Sequence, residues 1–359
     1  MDSYPKQPTS EIDFLEIEEA FSKFIKLKNL DLYIKENPEK AAIFEKLINI
    51  AVCEAYDDGD GCPQAHLFLQ RILYNINRLK LFWYDDLDNY TNEDSSFLFS
   101  IRSQVEKESQ DWEINHLDIE SFKESNIINT LHTRVAEDLN PKPLKDDLYI
   151  RNGISETGYR RLLAIASLNG LVEASQLSRV LGGVGNEVQS MLTRIFLEEY
   201  GGGKLPRKHS SFFTTMLKEF DMNTRPEAYL DLVPWSTLAN INHSFTLSEH
   251  KRCFLRYVGG LLFTEVTTPA VFKNFKLAGE RLGFSENAVG YWDLHMKEDE
   301  RHGQWMLDDV AIPLAVQYRD RAWEILLGYE QQRFLNIRAG KDVAESIRQG
   351  QDVRDFPLK

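Results

Sequence analysis

Tyr291-Trp-Asp-Leu-His295-Met-Lys-Glu-Asp299-Glu-Arg-His302 is the most informative stretch of this 359-residue chain. Its two histidines and the aspartate between them stand at i, i+4 and i+7, one face of an α-helix. Phe284, Ala288, Tyr291 and Met306 extend the same stripe and are core residues, while Lys297, Glu300 and Arg301 point elsewhere. The helix therefore aims two imidazoles and a carboxylate into its apolar side. An unpaired buried carboxylate is costly unless it takes up a proton. A divalent metal removes that cost, and imidazole with carboxylate suits iron. Hydrogen-bonded burial without a metal is the competing reading.

Other segments carry matching residues. On 184–200, Glu199 continues the inward stripe Val188, Leu192, Ile195, whereas Glu198 falls with Arg194 and Glu187 on a solvated face. Glu198 is the alternative to Glu199. On 248–267, Glu265 continues Phe254, Val258 and Leu261; on 209–220, His209 leads Phe212, Phe213, Met216 and Phe220. Any one of these alone reads as the polar end of a stripe. Together Glu199, His209, Glu265, His295, Asp299 and His302 are a ligand set for two iron ions with positions left for dioxygen. The three on the last helix span about 10 Å and cannot all reach one ion. Glu199, His209 and His302 are expected at one iron and Glu265, His295 and Asp299 at the other, with a carboxylate able to bridge.

The remaining pattern is helical nearly throughout, with apolar residues at three- and four-residue spacing and little strict alternation, so an all-α fold is expected. Pro269, Pro234 and Gly283 are expected to separate helices. Asn140-Pro-Lys-Pro143 cannot continue a helix and places a linker at 140–152. The charge changes at the same place. Residues 1–140 carry the whole net charge of −14 and the rest of the chain is balanced. The expected organisation is an acidic helical region at 1–140, a main domain at 150–340 and a tail at 341–359. An acidic chain without a basic stripe is a poor partner for nucleic acid or an anionic membrane. There is no apolar run long enough to span a bilayer and no signal-peptide pattern. The three cysteines have no metal-motif spacing, which suits a reducing cytoplasm.

At the residues singled out above the chain resembles the haem-oxygenase-like diiron oxidases, the iron-containing redox enzymes. Three stretches carry the resemblance: Leu197-Glu-Glu199-Tyr-Gly-Gly-Gly with His209 downstream, Leu261-Leu-Phe-Thr-Glu265-Val-Thr-Thr-Pro, and His295-x3-Asp299-x2-His302. Their order is the family's: Glu then His in an early helix pair, Glu in a middle helix, then the H-x3-D-x2-H helix. The Gly-rich turn with Pro206 departs from some members by its length, and the chain must fold back there to bring Glu199 and His209 to one metal. The resemblance covers about residues 150–340. It implies a haem-oxygenase-like bundle that binds two irons rather than haem, with ferrous iron reacting with O2 and an electron donor. It also implies a small-molecule substrate. N-oxygenation of an amine or amino acid in specialised metabolism is the expected activity; oxidative C–C cleavage of an amino or fatty acid is the alternative. A non-catalytic helical metal-binding protein is the third reading. Some members use an extra N-terminal helical region for dimerisation, which suits residues 1–140 and a homodimer.

Three further features call for a reading. Glu113-Ile-Asn-His116 has the E-x-x-H spacing of ferritin-like sites but no second copy, and is expected at the surface. His243 and His250 are expected as loop or cap residues, with support of a metal ligand from behind as the alternative for either. Gly259-Gly260 serve either close helix packing or substrate space.

Overall fold

The computed structural model describes residues 13–56, 61–82, 87–350 and 353. These form two compact units, Met1–Gln110 and Asp111–Lys359. In the first, α1 (Phe14–Phe24), α2 (Leu30–Glu36), α3 (Pro38–Tyr56), α4 (Pro63–Arg78) and most of α5 (Ser96–Asn115) surround a core that includes Phe21, Ile48, Leu69 and Val105. Asn92 ties the α1–α2 turn: its Nδ2 donates to the carbonyls of Ile25 (2.8 Å) and Leu27 (2.7 Å). Asp31 accepts from the Ser96 N–H at 2.8 Å and so caps the start of α5.

The second unit holds α6 (Ile119–Glu124), α7 (Ile127–Leu139), α8 (Lys145–Gly153), α9 (Glu156–Gly170), the single turn α10 (Ser175–Ser178), α11 (Glu187–Glu199), α12 (His209–Glu219), α13 (Trp235–Glu249), α14 (Phe254–Arg281), α15 (Gly290–Trp305), α16 (Ile312–Gln317) and α17 (Trp323–Gln349). The division therefore falls some thirty residues before the expected linker at 140–152. Phe122 of α6 and Leu131 and Val135 of α7 lie in the same core as Leu192, Val258 and Leu326. The prolines at 141 and 143 interrupt the α7–α8 connection only, and the charge step follows surface composition rather than a core boundary.

Long helices α14 and α17 form the centre. Gly259 meets the α17 backbone at Ile325, and Gly328 meets the α14 backbone at Arg256; a Cβ at either position would collide with a carbonyl oxygen. Gly259 is thus a close-packing residue. Gly260 faces the side chain of Gln332, at 3.3 Å from where its Cβ would stand.

The expected break at Pro269 does not occur: α14 runs through it. Proline has no N–H for the carbonyl four residues back, which is that of Glu265. The hydroxyls of Thr264, Thr267 and Thr268 bond back to the carbonyls of Gly260 (3.1 Å), Phe263 (2.8 Å) and Thr264 (2.7 Å). Gly303 of α15 lies against the same turn, its Cβ position 3.5 Å from the Glu265 carbonyl oxygen. Beyond Trp305, α15 continues into a π-helical turn, Met306–Ala311. Among the described residues there is no strand, and no helix is long and apolar enough to cross a membrane.

Candidate metal centre

The H-x3-D-x2-H stripe of α15 faces inward as its periodicity requires: His295, Asp299 and His302 are all buried, His302 completely. His295 Nδ1 donates to the Tyr291 carbonyl at 3.0 Å. That bond fixes the tautomer and leaves Nε2 as the outward-looking lone pair. Nε2 stands 3.2 Å from His209 Nδ1 and 3.5 Å from Glu173 Oε2.

His302 is oriented the opposite way. Its Nε2 bonds Glu198 Oε2 at 3.1 Å, and its Nδ1 faces the carboxylates of Glu199 (3.4 Å), Glu265 (3.4 Å) and Asp299 (3.7 Å). Glu198 is therefore not a rival of Glu199 for the interior. It lies at the half-exposed edge, also bonded to Arg301 at 2.6 Å, and holds the far side of the imidazole. Burial works against its charge, yet the hydrogen bonds from Arg301 and His302 hold Glu198 below the usual carboxylate range.

Glu199, the last residue of α11, and His209, the first of α12, meet because the chain reverses between them. Gly201, Gly202 and Gly203 all have φ between +62° and +77°, and a Cβ on Gly201 would run into the backbone of Arg207 and Lys208. The reversal brings Glu199 Oε2 to 2.9 Å from His209 Nδ1.

All six residues named from the sequence are buried and meet in this cluster. Their grouping differs from the expected one. Glu199, His209 and His295 present ligand atoms within 4.8 Å of one another, and so do Glu199, Asp299 and His302; Glu265 joins the latter through His302. His295 thus stands with His209 rather than with Asp299. The start of α12 packs against the first turns of α15, with the Phe213 ring 4.8 Å from Tyr291. Asp299 is nearer in sequence to His302 than to His295.

A seventh residue completes the first group. Glu173 is buried and lies within the same 4.8 Å set as Glu199, His209 and His295. It sits in the turn between α9 and α10, followed by Ala174 at φ +60°. Glu173 belongs to none of the inward stripes, so periodicity offers no signal for it. The Tyr291 hydroxyl donates to its carboxylate. Burial and the neighbouring Glu173 charge push the Tyr291 phenol well above its ordinary value.

Two readings are corrected, those of Glu113 and His243. Glu113 is not at the surface but almost wholly buried, bonded to His243 Nδ1 at 2.8 Å and to Gln331 Nε2 at 2.7 Å. His243 is not a loop residue but lies buried within α13. His116 instead bonds its own helix at the Trp112 carbonyl, 2.8 Å away. His250 is the residue that follows α13.

The donor set fits a metal. Glu173 Oε1, Glu199 Oε1, Asp299 Oδ1 and His302 Nδ1 are all buried and have no hydrogen-bond partner in the protein. Native interiors rarely leave such atoms unpaired. The electrostatics agree. Burial drives Asp299 well above the usual carboxylate range, assisted by Glu265 and Glu199. Burial opposes charge on His295 and His302 too, but the surrounding carboxylates overcome it and raise them to about 10 and about 11. The cluster recruits protons because it lacks positive charge, and a cation would take their place. A cavity of about 300 Å³ opens beside it, bordered by Glu173, Glu199, Glu265, His295 and Asp299.

A family model described as iron-containing redox enzyme matches residues 160–332. The chain thus resembles that family over just under half of its length, and it has the all-α, haem-oxygenase-like fold. It is also 28% identical over 179 residues to the nitrosourea synthase of Streptomyces achromogenes subsp. streptozoticus. That alignment takes in 49% of this chain and 38% of the relative, so the chain matches well under half the relative's length.

Proposed function

We propose that this chain is a non-haem diiron oxygenase that N-oxygenates an amine or amino-acid nitrogen of a small metabolite. The observation that carries the reading is the divided carboxylate of Glu199, with Oε2 on the His209 side and Oε1 on the His302 side. In this reading Glu173, His209 and His295 hold one iron and Glu265, Asp299 and His302 the other, with Glu199 shared. Four carboxylates then balance two ferrous ions, a centre with no net charge. When bound, the irons supply electrons to O2. The chain's own residues orient the ligands, bury the centre and leave the cavity as the substrate's place. The name nitrosourea synthase describes a relative whose product carries nitrogen bonded to a nitroso group, which favours nitrogen over carbon as the site of oxidation here.

The first unit, Met1–Gln110, is proposed as an auxiliary region at a homodimer contact, on the basis of its own core and its acidic composition.

The test is product analysis. Ferrous-loaded protein with reductant is given 18O2 and a panel of amines, amino acids and fatty acids. The expected result is a product carrying 18O on nitrogen and two irons per chain by metal analysis. Shortened carbon chains without N-oxygenation would overturn the assigned activity, and one iron per chain would overturn the paired centre.

A further inference from the structure

The chain carries a net charge of −14, yet the reversal that joins Glu199 to His209 is basic. From Tyr200 to Lys218 there is no Asp or Glu, and Lys204, Arg207 and Lys208 fall within five residues. We propose that this reversal is the docking face for an acidic protein that carries one electron at a time and reduces the centre. The proposal rests on the diiron reading above and adds the partner that restores its ferrous state.

The positive charge of this face is open to a partner. Gly202, Gly203, Lys204, Leu205, Pro206 and Arg207 are all exposed, and among the described residues neither Lys204 nor Arg207 pairs with a carboxylate. Glu198, at the end of α11, is already held by Arg301 at 2.6 Å. The tip is apolar. Leu205 is 73% exposed between the two cations, and Leu197, on the last turn of α11, is 52% exposed. An apolar centre with a charged rim is how protein interfaces are built. The loop is also held in shape. The Leu205 carbonyl accepts from the Ser211 hydroxyl at 2.6 Å, and the Lys204 carbonyl accepts from the Arg207 N–H at 2.7 Å. The Lys208 ammonium sits 4.2 Å from the centre of the Tyr200 ring. A partner therefore has little chain to order on binding.

The position suits electron delivery. Arg207 stands two residues before His209, at most about 8 Å of backbone away, and Glu199 ends the other arm of the reversal. None of residues 200–208 borders the cavity, so a protein seated here does not take the substrate's place. A chain that is acidic overall repels an acidic carrier except where a patch of opposite sign steers it in. Each docking moves one electron: the carrier is oxidised by one and one ferric ion becomes ferrous. Two dockings restore the pair.

The probe is a plant-type [2Fe–2S] ferredoxin, an acidic one-electron carrier. Calorimetry follows its oxidised form binding to the full-length chain, and stopped flow follows its reduced form mixed with the ferric-loaded chain, with iron counted in every sample. Binding at low salt should weaken about tenfold at physiological ionic strength. The double variant Lys204→Glu with Arg207→Glu should weaken binding at least about tenfold and slow reduction to match. Lys218→Glu reverses a charge about 13 Å further down α12, beyond the face, and should change either by less than about twofold. The methyl viologen radical, a small cationic donor, should reduce all these chains alike. No ferredoxin binding at low salt, indifference to the double variant, or an equal loss in Lys218→Glu would overturn the proposal. So would ferredoxin binding without electron transfer in a chain whose two irons methyl viologen reduces. Anionic lipid vesicles that bind where ferredoxin does not, and are lost in the double variant, would assign the loop to a membrane surface instead. In each of these cases two irons per chain would leave the metal centre standing. Ferredoxin bound through the loop of a chain that holds fewer than two irons would keep the docking face and sink the paired centre.

Discussion

Glu113 and Glu199 are both buried glutamates bonded to a histidine in the same unit, and their surroundings differ in charge. Glu113 takes hydrogen bonds from His243 and Gln331, and Gln331 in turn accepts from Arg256 at 2.7 and 3.0 Å. A cation is thus built into the group through one amide. Around Glu199 stand three more carboxylates and three imidazoles, with buried oxygens left unpaired. Burial of an acid beside a histidine does not by itself make a metal centre. An excess of buried acceptors that no protein donor satisfies is what points to one.

The strongest way to break the comparison is to remove each glutamate in turn. Glu199→Gln should lower bound iron from two to at most one per chain and reduce turnover by about a thousandfold, because the shared ligand loses its charge. His295→Ala and Asp299→Ala should each lose one iron and all activity. Glu113→Ala should keep both irons and instead lower stability by about 3 kcal/mol, since it strands a buried histidine and amide. Metal analysis beside thermal unfolding reads both. Iron lost in the Glu113 variant, or kept in full in the Glu199 variant, would erase the distinction.

The same contrast explains what the sequence could disclose. His295, Asp299 and His302 share one uninterrupted helix, so spacing alone fixes their face. Glu199 and Glu265 follow apolar stripes and are found the same way. Glu173 sits in a turn, where direction depends on backbone dihedrals that no period encodes. Glu113 misled for a related reason. Its E-x-x-H spacing was weighed as a metal motif, yet its burial depends on α13 and α17, distant in sequence. Pro269 reads as a helix end by local chemistry; packing of α14 against α15 and α17 overrides it. That His295 stands beside His209 could not be read from spacing, because it depends on how α12 meets α15, a tertiary fact.

The pH dependence of stability sharpens the comparison next. In the metal-free chain His295 and His302 sit at about 10 and about 11, against roughly 6.5 when unfolded. The folded chain then binds more protons than the unfolded one between those limits. The stabilisation is complete below roughly pH 6.5 and is lost as pH rises through about 10 to 11, at about 1.4 kcal/mol per pH unit for each histidine. Asp299, also raised, acts in the same direction. Glu199 is held below its usual range by His209 and His302 despite burial, and its contribution is lost only as the solution becomes acid. Iron binding requires these ligands deprotonated, so the loaded protein should reverse the slope and lose stability on acidification. Unfolding midpoints from pH 6 to 9, with and without iron, should run in opposite directions. Parallel curves would mean that protons and iron do not compete for one cluster.

The smallest effect concerns Glu198, which touches His302 from outside the cluster. It accepts from His302 Nε2 and is itself held by Arg301. A carboxylate behind a metal-bound imidazole fixes the ring and raises its basicity, and losing such a partner costs about tenfold or more in metal affinity. Glu198→Ala should therefore weaken one iron by about tenfold and leave the other unchanged, because His295 takes its orientation from a backbone carbonyl that no side-chain substitution removes. Glu198→Gln keeps an acceptor for the ring and should recover part of the loss. A competitive chelator titration resolves the two irons. Equal weakening of both would show that Glu198 serves the fold of α11 as a whole. Weakening of one alone, with partial recovery by glutamine, would show that it acts through His302.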